Sequence, residues 1–393
     1  MAIFNPIAAE TLENPYPAYH HYREHDPVHW VPLPDGRGGR YFLFRYNDVK
    51  AVLKSKDFTQ ISLHNDGSPL SRMLSKWLVF RNPPDHTWIR SLVVKAFDAK
   101  ILARVEATVQ GVTDLLLDQV QNDGKMDLIR QFASPLPLIT VAELLGVSPD
   151  DRDLVRKWTT DIINSIEVRP IPQALQKTIV SCQELMSYLG RVIVDRRKSP
   201  RPDDLISKLI EAGEHERRLT DEELLCICAL LLCAGNETTI NLIGNGIFAL
   251  LQNPQELTRL KEQPQLIGSA VEELLRFDSP VQFLHRQATH AIDIGGKKIP
   301  QGAIVVPALG AANRDPEHFP DPDRLDISRN PTNHSAFSMG IHFCLGAHLA
   351  RHEAKIALSS LITIFPDIQL APSKPQRVQG ASFRGFQSLK ITF

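Results

Sequence analysis

The hydrophobic pattern sets short β-rich stretches before and after a long helical middle. Residues 28–33 (VHWVPL) and 40–45 (RYFLFR) are rich in β-branched and aromatic side chains. They flank a loop with Asp35, Gly36, Gly38 and Gly39, the signature of a hairpin. A second hairpin is predicted within ATHAIDIGGKKIPQGAIVVPAL, turning near Gly295 and Gly296, with Pro300-Gln301-Gly302 marking a further turn. Between about residues 84 and 278 the pattern is helical, punctuated by Pro135, Pro137, Pro149, Pro200 and Pro202. After residue 307 the chain is loop-rich, and a last helix is expected over about 346–363. The expectation is a mainly α protein with small β-sheets, folded as one integrated domain over residues 1–393.

One helix is marked more sharply than the rest. Thr220-Asp221-Glu222-Glu223 is a capping box, and the apolar pattern then runs to Leu251 before Asn253-Pro254. A helix of about 30 residues is close to 45 Å long and would cross the whole molecule. Its apolar run is broken by Gly235-Asn236-Glu237-Thr238-Thr239.

Composition narrows the class. The chain has 393 residues, 43% hydrophobic and 23% charged, with a formal net charge of −1, so nothing favours nucleic acid as a partner. The N-terminal segment has neither a basic region followed by an apolar stretch nor a spanning run, and Leu224 to Gly235 is too short to span. A cytoplasmic protein without a membrane anchor is expected. Five cysteines, three of them in one helical segment, make a poor disulfide framework. Cys182, Cys226, Cys228 and Cys233 read as small buried hydrophobes.

Cys344 is different. It lies in Phe337-Ser338-Met339-Gly340-Ile341-His342-Phe343-Cys344-Leu345-Gly346, just before the last helix. Glycines at 340 and 346 permit tight turns and close approach of the backbone to a flat partner. Amide groups at a helix N-terminus favour a thiolate. Zinc held by Cys344, His348 and His352 is the rival, since i, i+4, i+8 spacing shares a helix face. That site would lack the general-base Glu of an H-E-x-x-H helix and leave the glycines without purpose.

The segment from Phe337 to Gly346 resembles the haem-binding signature of the cytochrome P450 family, F-x-x-G-x-[HR]-x-C-x-G, at every specified position. Ser338 stands where many members have Gly. Three further segments follow the family's order. Ala234-Gly235-Asn236-Glu237-Thr238-Thr239 is similar to its oxygen-activation motif, with Glu as the acid, and the Thr238 hydroxyl can bond back to the Ala234 carbonyl and bend the helix. Glu273-Leu274-Leu275-Arg276 resembles its E-x-x-R pair, for which Arg324 or His318 is the expected third partner. Pro83-Pro84-Asp85-His86-Thr87-Trp88-Ile89-Arg90 resembles its P-P-x-H-x-x-x-R helix start, with Trp88 where Arg is common.

The resemblance implies a haem–thiolate monooxygenase. Haem b (iron protoporphyrin IX) would be ligated by Cys344, with Phe337, Gly340, Gly346 and Ala234 around it. His86, Arg90, Arg286 and His342 would serve its two propionates, since buried carboxylates must be paired. Thr238 and Glu237 would activate O2 and relay protons. The substrate would be a small apolar organic molecule of terpenoid, steroid, fatty acyl or polyketide type, hydroxylated or epoxidised. By position its pocket would be lined by Leu78, Val79, Phe80, Leu231, Ala234, Val281, Phe283, Leu284 and Phe386, and 58–80 would act as a lid. Electrons would come from a separate ferredoxin and ferredoxin reductase, docking near Lys95, Lys100 and Arg104, and the protein would be a monomer. Two other classes stay open: a peroxygenase using H2O2, disfavoured by the Glu237-Thr238 pair, and a non-enzymatic haem binder or sensor.

Overall fold

The structure, a computed structural model, describes residues 3–33, 38–61, 66–165, 172–212 and 219–393. Both hairpins form. Val28–Pro32 pairs antiparallel with Gly39–Leu43, while Asp35 and Gly36 of the expected turn lie outside the described residues. Ile292–Ile294 pairs with Lys297–Ile299 through Gly295 and Gly296, at φ 55° and 78°, where a side chain would be strained. The largest sheet has five strands, in the order Val28–Pro32, Gly39–Leu43, Ile304–Pro307, Arg286–Ala288, Phe58–Thr59. Residues 62–65 of the expected lid are outside the described set; Pro69–Ser75 and Leu78–Phe80 within it are helical.

The central helix spans Asp221–Gln252, and its capping box closes as the sequence predicts. The Thr220 hydroxyl accepts the Glu223 N–H at 3.2 Å, and the Glu223 carboxylate accepts the Thr220 N–H at 2.9 Å. By length and apolarity this helix could cross a membrane, but 72% of its apolar window is buried inside the protein, so it is the core helix. Its two halves serve different cores. Leu224 to Cys233 packs with Trp77, Cys182, Leu185 and Trp158, burying all four of the cysteines read as hydrophobes. Ile240 to Leu250 packs with Leu274, Ala354, Leu358 and Phe386. The polar stretch 234–239 falls at the seam between the two and belongs to neither.

Buried ion pairs fix the elements around that seam. Asp278 accepts from Arg384 and from the Tyr16 hydroxyl, each at 2.6 Å, and Asn245 of the central helix donates to the Asp278 and Arg384 carbonyls. Glu273 and Arg276, on the helix Ile267–Phe277, form a fully buried bidentate pair at 2.7 and 2.8 Å. The third partner is Arg329, at 3.2 Å from Glu273, rather than Arg324 or His318. Arg324 supplies only its carbonyl to Arg276, and His318 stacks on Tyr46. The loop's turns at Asp321 and Asp326 bring the later arginine inward, which spacing along the chain does not show.

Candidate active site

The seam of the central helix opens toward the interior. Ala234 is exposed although its helix neighbours Cys233 and Asn236 are buried, and Leu231 and Thr238, on the same face, are half-buried. Thr238 donates its hydroxyl to the Ala234 carbonyl at 3.1 Å, and Thr239 does the same to Gly235 at 3.2 Å. Two consecutive back-bonds weaken the helix where its exposed face lies. Burial raises the Glu237 carboxyl above the ordinary range, and the Asn241 amide, donating at 3.3 Å, offsets part of that rise. Asn241 was not foreseen, although an amide four residues after the acid is visible in the sequence.

The Cys344 loop is folded back on itself. The Cys344 N–H bonds to the Phe337 carbonyl at 2.9 Å, and Phe343 N–H to Gly340 at 3.1 Å. Gly340 has φ 70°, and a Cβ there would meet the Leu53 carbonyl at 2.6 Å, so only glycine fits. Ser338 also sits in the left-handed region, at φ 61°, which explains why glycine would suit its position. Gly346 is otherwise: its φ is −86° and a Cβ would meet no protein atom, so no contact within the chain demands it. Arg90 donates to the Phe343 carbonyl at 2.8 Å, and Arg351 lies over the Phe337 ring at 4.5 Å. Cys344 itself is exposed. Burial among protein atoms nonetheless pushes its thiol up, and the Gly346 N–H, Arg90 and Arg351 pull down without reversing it. The helix-terminus expectation is thus corrected: in the chain alone desolvation outweighs it, and coordination to a metal would be what removes the proton.

Arg351 is held by Glu272 at 2.6 and 2.9 Å, and Glu272 also meets His334 at 3.1 Å. Burial would raise Glu272, but the bonds and charges of His334 and Arg351 hold it at about 2. A depressed carboxyl stabilises the fold above its unfolded pKa, about 4.3, and that contribution is lost as pH falls toward 2. Acid titration should therefore loosen the Cys344 loop and release the prosthetic group between those values. Glu272→Gln should remove that acid limb; an unchanged limb would place the acid-sensitive contact elsewhere.

Beside the Cys344 loop, four donors converge. The rings of His86 and His342 lie 4.2 Å apart, and Arg90 and Arg286 act electrostatically on His342. His86 is fully buried with neither ring nitrogen hydrogen-bonded. Burial pushes His342 down to about 3 and Arg286 to about 10, with Arg286, His86 and Arg90 adding to the effect on His342. Arg286 spends one amine on Gln60 and the His285 carbonyl. Buried donors that depress one another fit two buried carboxylates, and haem propionates are such groups. The unpartnered His86 ring, the neighbouring cations and an exposed cysteine suit haem. Among the described residues no cluster of three or more His, Cys, Asp or Glu could hold a metal, which disposes of the zinc alternative there. His352 instead faces Glu106 at 3.6 Å.

The expected pocket is corrected in part. Phe283 is buried in an aromatic cluster with Phe4, Tyr19 and Phe42, and Phe386 stacks with Phe248 in the core. Leu78 is likewise buried among the apolar residues around Trp77. These three are packed into the core rather than half-exposed. Val79 is exposed, and Phe80, Leu231, Val281 and Leu284 are half-buried, as wall residues would be.

A locally opened helix, an exposed cysteine in a tight glycine-turned loop and a cluster of buried cationic donors are what a haem–thiolate protein requires. Comparison with known proteins agrees. The model of the family described as "Cytochrome P450" matches residues 152–378. The polyketide biosynthesis cytochrome P450 PksS of Bacillus subtilis is 37% identical, over 99% of this chain and 98% of its own length. Cytochrome P450 107B1 of Saccharopolyspora erythraea is 41% identical over 88% of this chain and 87% of its own length. A solved structure of P450BioI with hexadec-9Z-enoic acid ligated acyl carrier protein superposes with a TM-score of 0.92 at 36% identity, covering 98% of this chain and 100% of that one. The chain belongs to the cytochrome P450 family. Its cofactor is haem b, and it is an oxidoreductase that incorporates oxygen from O2.

Proposed function

We propose that the chain monooxygenates an elongated apolar substrate of acyl or polyketide type, presented free or on a carrier protein. The observation that carries the monooxygenase reading is the exposed face of Ala234 and Thr238 on an otherwise buried helix. When bound, the haem supplies a thiolate-ligated iron centre competent to cleave the O–O bond of dioxygen. Cys344 would ligate it, Phe337, Gly340, Gly346 and Ala234 would border it, and His86, Arg90, Arg286 and His342 would bind its propionates.

The chain's own part in the reaction is proton handling. Glu237, raised by burial, holds its proton more tightly than an exposed carboxyl and can pass it on through its carboxyl oxygens. Thr238 keeps its hydroxyl proton on the Ala234 carbonyl and offers lone pairs to the cavity, so a half-turn of the hydroxyl converts it to a donor. Val79, Phe80, Leu231, Val281 and Leu284 would hold an apolar chain and exclude water.

The substrate class is supported by what relatives are named for. One is a polyketide biosynthesis P450, another a biotin biosynthesis P450, and the P450BioI structure carries an acyl chain on its carrier protein. A steroid is the second reading, because a vitamin D(3) 25-hydroxylase of Pseudonocardia autotrophica is 38% identical and a structure of CYP109E1 holds testosterone. Electrons would come from a separate ferredoxin and ferredoxin reductase. Lys95 and Lys100 are exposed and suit an acidic partner, whereas Arg104 is committed to the Asp203 carbonyl. A cytoplasmic, monomeric enzyme folded as one domain over residues 1–393 completes the reading.

The test is a titration of the ferric holoprotein with free fatty acids, carrier-linked acyl chains and steroids, followed by turnover with ferredoxin and reductase. Acyl ligands are expected to shift the iron toward high spin and to give a hydroxylated or epoxidised product. Thr238→Ala should bind equally well yet lower product formation about a hundredfold, the lower end for a lost acid–base group, while electrons are still consumed. A spin shift with steroids alone would select the second reading, and no oxygenated product from any spin-shifting ligand would refute the monooxygenase role.

A further inference from the structure

Glu353, on the C-terminal helix Ala347–Ile364, is a buried acid to which the reaction above gives no part. It is fully buried, its carboxyl lies beside the hydroxyls of Thr140 and Thr239, and neither of its oxygens makes a well-formed hydrogen bond. Both hydroxyls have spent their only proton. Thr140, on the helix Pro135–Leu144, donates to the Leu136 carbonyl at 2.9 Å, and Thr239 donates to the Gly235 carbonyl at 3.2 Å. Each can donate to Glu353 only by releasing its own backbone carbonyl. A carboxylate in that place would compete with those carbonyls for the two protons, whereas a protonated acid brings its own donor.

Several ionisable groups on the elements packed around it have other partners. On its own helix Arg351 bonds Glu272, and His352 faces Glu106 of the helix Ala99–Asp118. Glu143 pairs with Arg152, Glu237 meets Asn241, Glu272 also meets His334, and Glu273 is paired with Arg276. With no cation to offset it, burial pushes Glu353 up to about 8, and the two threonines recover only part of that rise.

We propose that Glu353 is a positioning residue, kept as a neutral carboxylic acid, which leaves the Thr239 hydroxyl on the Gly235 carbonyl and so maintains the back-bonded form of the central helix beside Ala234 and Thr238. The proposal rests on the oxygen-activation role of that segment. Loss of the proton to solvent would make the carboxylate the stronger acceptor. Thr239 would then rotate to donate to it and release Gly235, one residue from the Thr238–Ala234 bond. Glu353 thereby acts on the cavity through Thr239, from the side of the helix opposite its exposed face.

Infrared spectroscopy of the holoenzyme tests this. A carbonyl band of a protonated carboxylic acid is expected near neutral pH, shifted in D2O, absent from Glu353→Gln, and fading as pH rises through about 8. In the ferrous–CO complex the C–O stretch reports polar groups beside the ligand. It should shift over the same pH range in the wild type and stay fixed in Glu353→Gln and Thr239→Val. Absence of a Glu353-dependent acid band would overturn the proposal. A C–O stretch that ignores the titration, or that still shifts in both variants, would also overturn it. Thr239→Val retains the acid, so the result does not depend on how Glu353→Gln folds. Thiolate ligation is read separately from the position of the ferrous–CO optical band, so failure of the haem site and failure of this inference are distinguishable.

Discussion

Replacing Cys344 with alanine is expected to abolish the strongly red-shifted ferrous–CO band of the wild type and all monooxygenase turnover. The reason is local and chemical. Phe337, Ser338 and Gly340 fold the loop so that the Cys344 side chain stays exposed. Arg90, Arg351 and the Gly346 N–H already favour its thiolate, although burial wins in the chain alone. Alanine keeps the loop's backbone bonds, including Cys344 N–H to Phe337, and removes only the ligand atom. His86, Arg90, Arg286 and His342 should then still retain some haem, with an ordinary CO band. A red-shifted band persisting in Cys344→Ala would mean another sulfur holds the iron. The other four cysteines are buried with thiols pushed well up by desolvation, Cys182 to about 11 and Cys226 to about 12, which argues against them.

Glu273→Ala is expected to be the most destabilising change. Glu273 and Arg276 are both fully buried, and Arg276 also donates to the carbonyls of Asn313, Pro322 and Arg324. Removing the carboxylate strands a buried guanidinium and the Asp326 N–H and Arg329 that it accepts from. Breaking a buried pair in this way costs about 3–5 kcal/mol, a large part of the ~5–15 kcal/mol by which proteins are stable. For a chain of 393 residues this corresponds to a fall in Tm of about 5 °C. Arg329→Ala should cost only about 1 kcal/mol, because Glu273 keeps Arg276. Thermal unfolding with the haem-to-protein absorbance ratio checks both, and equal effects of the two variants would show that the pair is not the anchor. Arg276→Lys should resemble Glu273→Ala, since an ammonium cannot hold a bidentate carboxylate and three carbonyls at once.

The cysteine loop and the central helix were legible in the sequence because their signals are local. A capping box, a back-bonding threonine and glycines at forced turns act over three to six residues, and Thr220, Thr238 and Gly340 do in the structure what their spacing predicts. The pocket was less legible. Phe283, Phe386 and Leu78 are apolar at suitable positions, but an apolar side chain satisfies a core and a cavity wall alike. Only the packing of Phe4, Tyr19 and Phe42 around Phe283 separates the two.

The sequence by itself determined the family, the cysteine loop, the long helix and its polar interruption, since each is written in residues close along the chain. Tertiary structure decided the partners at long range. It chose Arg329 over Arg324 for Glu273, set Asn241 on Glu237, and buried Glu353 between two threonines whose protons are already taken. Desolvation is the physical reason. It depends on everything packed around a group, and it raised the Cys344 thiol against the local pull of a helix terminus.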